Sequence, residues 1–166
     1  MSAAKPRASK TVKESQLETS DLMLPHNANV LGNVFGGVIL SMMDKTAAGA
    51  AARHARTAVV TVAIDAVEFR EPIRIGDLVV MKASVNYVGH TSMEIGVRVE
   101  AENLVTGVRR HTNSAYLTYV SIDKSGKPIP VPGIVPGNAV ERRRYKAAEA
   151  RRKQRKSERI SEGHDR

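Results

Sequence analysis

An α+β domain, with one antiparallel sheet curled around a single long helix and a basic C-terminal extension beyond it, is the architecture this sequence predicts. Three observations carry the expectation. An alanine-rich, proline-free run of high helical propensity extends from Phe35 to about His54. From Val59 onward the hydrophobic period falls to two across four long segments. One helix cannot cover five strands unless the sheet bends round it.

The elements follow in order. Leu17 to Leu24 reads as a short strand stopped by Pro25, which cannot donate to a ladder. A loop from His26 to Asn33 leads into the helix, which starts near Gly36 or Gly37. Beyond it, "VVTVAIDAVEF" is strand-rich and "REPIRIGD" is turn chemistry. In "LVVMKASVNYV" and "SMEIGVRVEAE" apolar side chains alternate with polar ones, the mark of a sheet with one dry and one wet face. "VRRHTNSAYLTYVSID" is a last long strand, and the prolines of "KSGKPIPVPGIVPG" end regular structure. The four long strands are expected to form a meander. With open sheet edges and only one covering helix, oligomerisation is expected.

At 166 residues the chain holds one domain. We place it at 17–136, after a disordered segment 1–16 and before a basic tail 137–166 that is helical or disordered. The chain has no Cys, no Trp and two Phe. Disulfides and thiolate metal sites are thereby excluded, and a reducing compartment fits. No stretch has the length of a membrane span or a signal-peptide core, so a cytoplasmic protein without a membrane partner is expected. The formal charge of +9 suggests nucleic acid at first sight, but residues 17–137 carry eleven basic and eleven acidic side chains. The excess lies in the ends: +3 in residues 1–16 and +6 in residues 138–166. Without aromatics for stacking or a groove-reading module, the tail reads as a solvated extension, and no nucleic-acid partner is expected.

Chemistry concentrates around Asp44. A helix starting at Gly36 or Gly37 puts this acid on one stripe with Leu40, Ala47 and Ala48, with no salt-bridge partner in its own helix. A carboxylate facing a core or cleft must be hydrogen-bonded or have its pKa adjusted, and such groups are enriched at catalytic sites. A solvent-facing acid at the helix rim would have the same periodicity. The preceding loop adds Gly36 and Gly37, which let a ligand approach the N–H groups of the first turn, and Asn29, a neutral amide able to hold a water. His26, Asn27 and Asn33 fit as turn formers. The five histidines have no ligand spacing, so neither a metal nor a cofactor is expected.

The stretch "LPHNANVLGNVFGGVILSMMDKTAAGAAARH" resembles the hallmark segment of the hotdog-fold acyl-CoA thioesterases of the cytosolic acyl-CoA hydrolase type. The similarity continues through "VAIDAVEFREPIRIGDLV", "GHTSMEIGVRVEAEN", "TGVRRHTNSAYLTYVSID" and "GKPIPVP", over roughly residues 17–135. It implies a bent sheet around one helix, dimers joined edge to edge, and hexamers that are trimers of those dimers. It further implies hydrolysis of acyl-CoA to acid and CoA. Asp44 would be the base or nucleophile, Asn29 of a neighbouring subunit would orient water, and the Gly37 N–H would polarise the carbonyl. For the substrate's CoA end, Gly36, the turn Gly89, Thr91 and Ser92, and Arg109, Arg110 and Asn113 are candidates. A hotdog dehydratase and a non-catalytic acyl-CoA-binding module are the alternatives.

Overall fold

The computed structural model describes residues 8–161 apart from Ala66. Two short elements come first, strand β1 (Ser9–Thr11) and strand β2 (Leu17–Leu22), followed by helix α1 (Gly36–Ala55). Strands β3 (Ala58–Ile64), β4 (Asp77–Val88), β5 (Ser92–Asn103) and β6 (Arg109–Ile122) follow, then β7 (Gly133–Val135) and helix α2 (Ala139–Ser161).

The main sheet has five strands in the order β2-β4-β5-β6-β3, every neighbouring pair antiparallel. It curls around α1 in the expected hotdog arrangement. Alternation explains the packing: Met93, Ile95, Val97, Val99 and Ala101 of β5 all face inward and are buried. Met81, Val85, Leu117 and Tyr119 join them from neighbouring strands, against Ile39, Met43, Ala47, Ala50 and Ala51 of α1. Small side chains on the helix let the sheet approach closely. Gly49 is the extreme case, since a Cβ there would lie 2.5 Å from Leu17 Cδ2.

The expected four-strand meander is corrected. Only β4, β5 and β6 are consecutive neighbours; β3 lies at the far edge, beside β6. The connection at Arg56 and Thr57 returns the chain tightly against its own helix, with Arg56 in the left-handed region at φ 58°. The proline-containing stretch 67–76 then carries it to the other side of the sheet. Periodicity marks strands but not which ones pair.

Both ends of the chain are more tightly held than expected, although the tail is helical, one of the two forms expected of it. Within the segment read as disordered, residues 1–7 lie outside the described residues, but β1 pairs in parallel with β7 and a 3-10 turn follows at Val12–Ser15. Val12 and Ser15 are buried, Glu14 accepts from Thr11 N and Oγ1, and Lys10 Nζ donates to the His54 carbonyl at 2.6 Å. A three-residue strand whose partner is more than a hundred residues away leaves no local signal.

Helix α2 is docked on the outer face of the sheet instead of being solvated. Ala148 is fully buried, the Tyr87 and Tyr145 rings lie 5.0 Å apart, and Arg151 stacks 3.6 Å above the Tyr116 ring. Glu94, on the nominally wet face of β5, is only 2% exposed because Arg151 and Arg155 close over it at 2.6 and 3.1 Å. Arg155 also holds Asp65 at 2.6 Å. Charge pairing and cation–π contact do the work for which the tail lacked large apolar residues. No helix among the described residues is long and apolar enough to cross a membrane.

Candidate active site

Asp44 sits two turns into α1, half-buried, on the side of the helix facing β3 and β6. Two inward side chains meet it there. Thr61 Oγ1 donates to Asp44 Oδ1 at 2.8 Å, and the Tyr119 hydroxyl donates to the same oxygen at 2.7 Å. The same phenol lies 2.8 Å from the Asp44 main-chain carbonyl. Thr61 and Tyr119 are direct cross-strand partners, so the β3–β6 register fixes both donors at one point over the helix. Burial, and then the adjoining carboxylate, push the Tyr119 phenol well above its ordinary range, opposed in part by Thr61; the phenol therefore stays protonated and donates. Asp44 Oδ2 carries no hydrogen bond among the described residues. A carboxylate held by one oxygen and open at the other is arranged to accept a proton or to attack.

The cap residue of α1, Phe35, is extended and provides no side-chain cap. Val38 N–H donates to the Phe35 carbonyl at 3.0 Å, whereas the Gly36 and Gly37 N–H groups have no acceptor among the described residues. Gly37 keeps that turn accessible, since a Cβ there would run into the Phe35 ring. A Cβ at Gly36 would touch Phe69 Cζ at 3.4 Å. Two half-exposed aromatic rings therefore flank the helix start.

Asn29 is held by its own loop. Its amide oxygen accepts from Leu31 N at 2.9 Å and Asn33 N at 3.2 Å, and its main-chain N–H donates to the Asn33 carbonyl at 2.7 Å. Two backbone donors on the oxygen leave the NH2 as the group this amide presents. No hydrogen bond joins Asn29 to Asp44 within the chain. Next to Asn29, Val30 is 102% and Leu31 81% exposed, and the free edge strand β3 exposes Val60, Val62 and Ile64. Exposed apolar groups at a loop tip and at an open sheet edge mark interaction surface.

The remaining candidates scatter. Arg109 pairs with Glu102 at 2.8 Å, ten residues along β6 from Tyr119, roughly 33 Å at strand rise; the structure does not bring it to Asp44. Arg110 holds Asp77 at 2.8 Å and Glu71 at 3.1 Å, a structural ion pair. Asn113 is buried; its Nδ2 donates to the Glu68 carbonyl at 2.8 Å, anchoring the stretch after β3, and its Oδ1 has no hydrogen-bond partner among the described residues. The turn Gly89–Ser92 lies at the near end of the sheet, where Ser92 pairs with Val120, one residue beyond Tyr119. Thr61 and Tyr119 are absent from the sequence-based set. Their signal was a hydroxyl at an inward position of two otherwise apolar strand faces.

A curled sheet around one helix, with an acid on that helix hydrogen-bonded from two sheet strands and an open helix start before it, defines a single class of hotdog enzyme-like site. Comparison with known proteins agrees, and the chain belongs to the thioesterase superfamily, whose family model matches residues 31–108. It is 38% identical over 145 residues to the uncharacterised acyl-CoA thioester hydrolase YkhA of Bacillus subtilis, covering 87% of this chain and 84% of that protein. The crystal structure of an apo-hexameric acyl-CoA thioesterase superposes with a TM-score of 0.88 at 42% identity, over 91% of this chain and 97% of that one. The acyl-CoA hydrolase of Staphylococcus aureus, crystallised with butyryl coenzyme A, coenzyme A and coenzyme A disulfide, gives 0.87 at 34% identity, over 94% and 95%.

Proposed function

We propose that this protein hydrolyses acyl-CoA thioesters to free acid and CoA as a homo-oligomer, with Asp44 as the reacting carboxylate. The observation that carries the proposal is the fixed Asp44 carboxylate, held through Oδ1 by Tyr119 and Thr61 with Oδ2 available. Oδ2 takes a proton from water as the water attacks the thioester carbonyl carbon, or attacks that carbon itself to give an anhydride that water then opens. The Gly37 N–H, at the positive end of α1, stabilises the oxyanion, and collapse of the tetrahedral intermediate expels the CoA thiolate.

Asn29 reaches this site from a second subunit. Within its own chain it makes no bond to Asp44, while the exposed Val30–Leu31 tip and the β3 edge supply surface for a partner. Edge-to-edge pairing through β3 makes the dimer the minimal unit, and three dimers make a hexamer of the kind described for the similar apo-hexameric thioesterase. The S. aureus hydrolase supports the assignment. Its alanine variants replace an asparagine, an aspartate and a threonine that are fifteen and seventeen residues apart, the spacing of Asn29, Asp44 and Thr61.

The test is an assay of the purified protein on a ladder of acyl-CoA lengths, repeated with Asn29→Ala and Asp44→Ala and with a refolded mixture of the two. The wild type hydrolyses one or more lengths, each variant is inactive, and the mixture recovers part of the activity. A wild type inert on every length removes the enzymatic reading. Mixed dimers that form without recovering activity remove the shared site.

A further inference from the structure

A cleft of about 270 Å³ lies between α2 and the sheet face on which that helix docks. Val62 and Val120 form an apolar part of its wall, Ser92 contributes a hydroxyl, and Arg152, Arg155 and Lys156 of α2 stand along one side. We propose that this cleft binds a phosphate-bearing anion through Arg152 and Lys156, with the Gly89–Ser92 turn at its end.

The cations of α2 divide into two sets. Arg151 and Arg155 are engaged by Glu94 and Asp65. Arg152, whose guanidinium lies 5.8 Å over the Tyr87 ring, and Lys156 have no ion pair among the described residues. They are one helical turn apart on the same side of α2, where like charges repel. Around the cleft, four cations at positions 151, 152, 155 and 156 face two acids at 65 and 94, a local excess of +2. A solvated helix face would let two such side chains diverge; here both lean over one cleft. The turn opposite them is kept narrow. A Cβ on Gly89 would lie 2.8 Å from Ser92 Oγ and 3.6 Å from Arg152 Nε, so glycine leaves room beside the guanidinium. A guanidinium, an ammonium and a hydroxyl converging on a small space match phosphate oxygens. The apolar wall suits an uncharged portion of the same ligand.

Two sources share this chemistry: the phosphates of an acyl-CoA, or those of a free nucleotide acting as an effector. Titration calorimetry of the full chain with inorganic pyrophosphate, at low and physiological salt, tests the site. Wild type binds, with affinity falling as salt rises, and Arg152→Gln with Lys156→Gln weakens binding at least tenfold at equal melting temperature. Lys156→Arg retains binding. Wild type that does not bind pyrophosphate, or a double variant that binds it equally well, overturns the site. Kinetics then separate the sources. Competition between pyrophosphate and acyl-CoA, with KM for acyl-CoA rising about tenfold relative to a phosphate-free acyl thioester in the double variant, identifies the substrate's own end. A rate change without competition identifies an effector. Asp44→Ala binds pyrophosphate like the wild type, so a failure of the hydrolytic assignment and a failure of this cleft give different results.

Discussion

The Tyr119 hydroxyl reaches across the core from β6 to lie 2.7 Å from Asp44 Oδ1 and 2.8 Å from the Asp44 carbonyl oxygen. One phenol therefore meets both the side chain and the main chain of the acid, and it decides which carboxylate oxygen stays open. Tyr119→Phe removes a hydrogen bond to a charged group at a buried position, about 1.5–3 kcal/mol, equivalent to roughly a tenfold to hundredfold loss in kcat. Thr61→Val acts in the same direction, and Thr61→Ser restores the rate. Steady-state kinetics beside a thermal melt separate this from unfolding; a Tyr119→Phe enzyme with wild-type kcat would show that the phenol does not position the carboxylate.

Asn29 offers a second, sharper test, because its oxygen shapes the loop while its NH2 faces outward. Asn29→Asp keeps both backbone hydrogen bonds to the side-chain oxygen and replaces only the donor. The loop should persist, with an unchanged melting temperature, while activity falls by roughly a hundredfold. Equal activity in the Asp variant would assign Asn29 to loop structure alone.

Glu94 and α2 are linked in stability. Ending the chain at Gly137 removes Arg151 and Arg155 and leaves Glu94 without its cations on a face that was covered. Truncation also returns Glu94 to water, so the expected loss is that of the α2 contacts and falls below the cost of a charge left buried and unpaired, about 3–5 kcal/mol. Denaturant unfolding of the truncated chain should show a measurable loss, and Glu94→Gln in the truncated chain should change it little. A truncated protein as stable as the full chain would mean that α2 does not rest on β5.

Glu100 provides a pH prediction. Hydrogen bonds from Arg98 Nε at 2.7 Å and Lys82 Nζ at 2.9 Å lower its pKa from 4.5 to about 2. A carboxyl whose folded pKa is depressed contributes stability that is complete above 4.5 and disappears as pH falls toward 2. The contribution is modest, about 1 kcal/mol or less, because Lys82 and Arg98 are themselves solvent-exposed. Wild type should therefore exceed Glu100→Gln in stability at neutral pH and converge with it near pH 2; a gap that stays constant across that range would contradict the pairing.

Much of this molecule was legible before its coordinates, and the exceptions share a cause. The α1 start at Gly36 and the inward set from Met93 to Val99 are consequences of local periodicity and propensity, whereas periodicity alone leaves Asp44 open between the cleft side and the helix rim. The transfer of β3 to the β6 edge, the pairing of β1 with β7 and the docking of α2 are not local: each depends on residues tens of positions apart. Arg155 shows the difficulty. In sequence it is one more cation in a basic run, and only the fold brings it to Asp65 and Glu94. Tyr119 was hidden for a different reason, since a tyrosine in an apolar strand face reads as core until the atom opposite its hydroxyl is known. Arg109 is a candidate because CoA phosphates call for basic surface, and Asn113 because of the resemblance; the fold pairs Arg109 with Glu102 and buries Asn113, neither of which periodicity shows.

The central claim is that Asp44 performs the chemistry. Asp44→Asn keeps the shape of the side chain and an oxygen that Tyr119 and Thr61 can reach, and it removes only the carboxylate. Its single-turnover rate of butyryl-CoA hydrolysis, measured against wild type with folding and assembly verified, is expected to fall by about a thousandfold or more. A rate within a few fold of wild type would contradict the account.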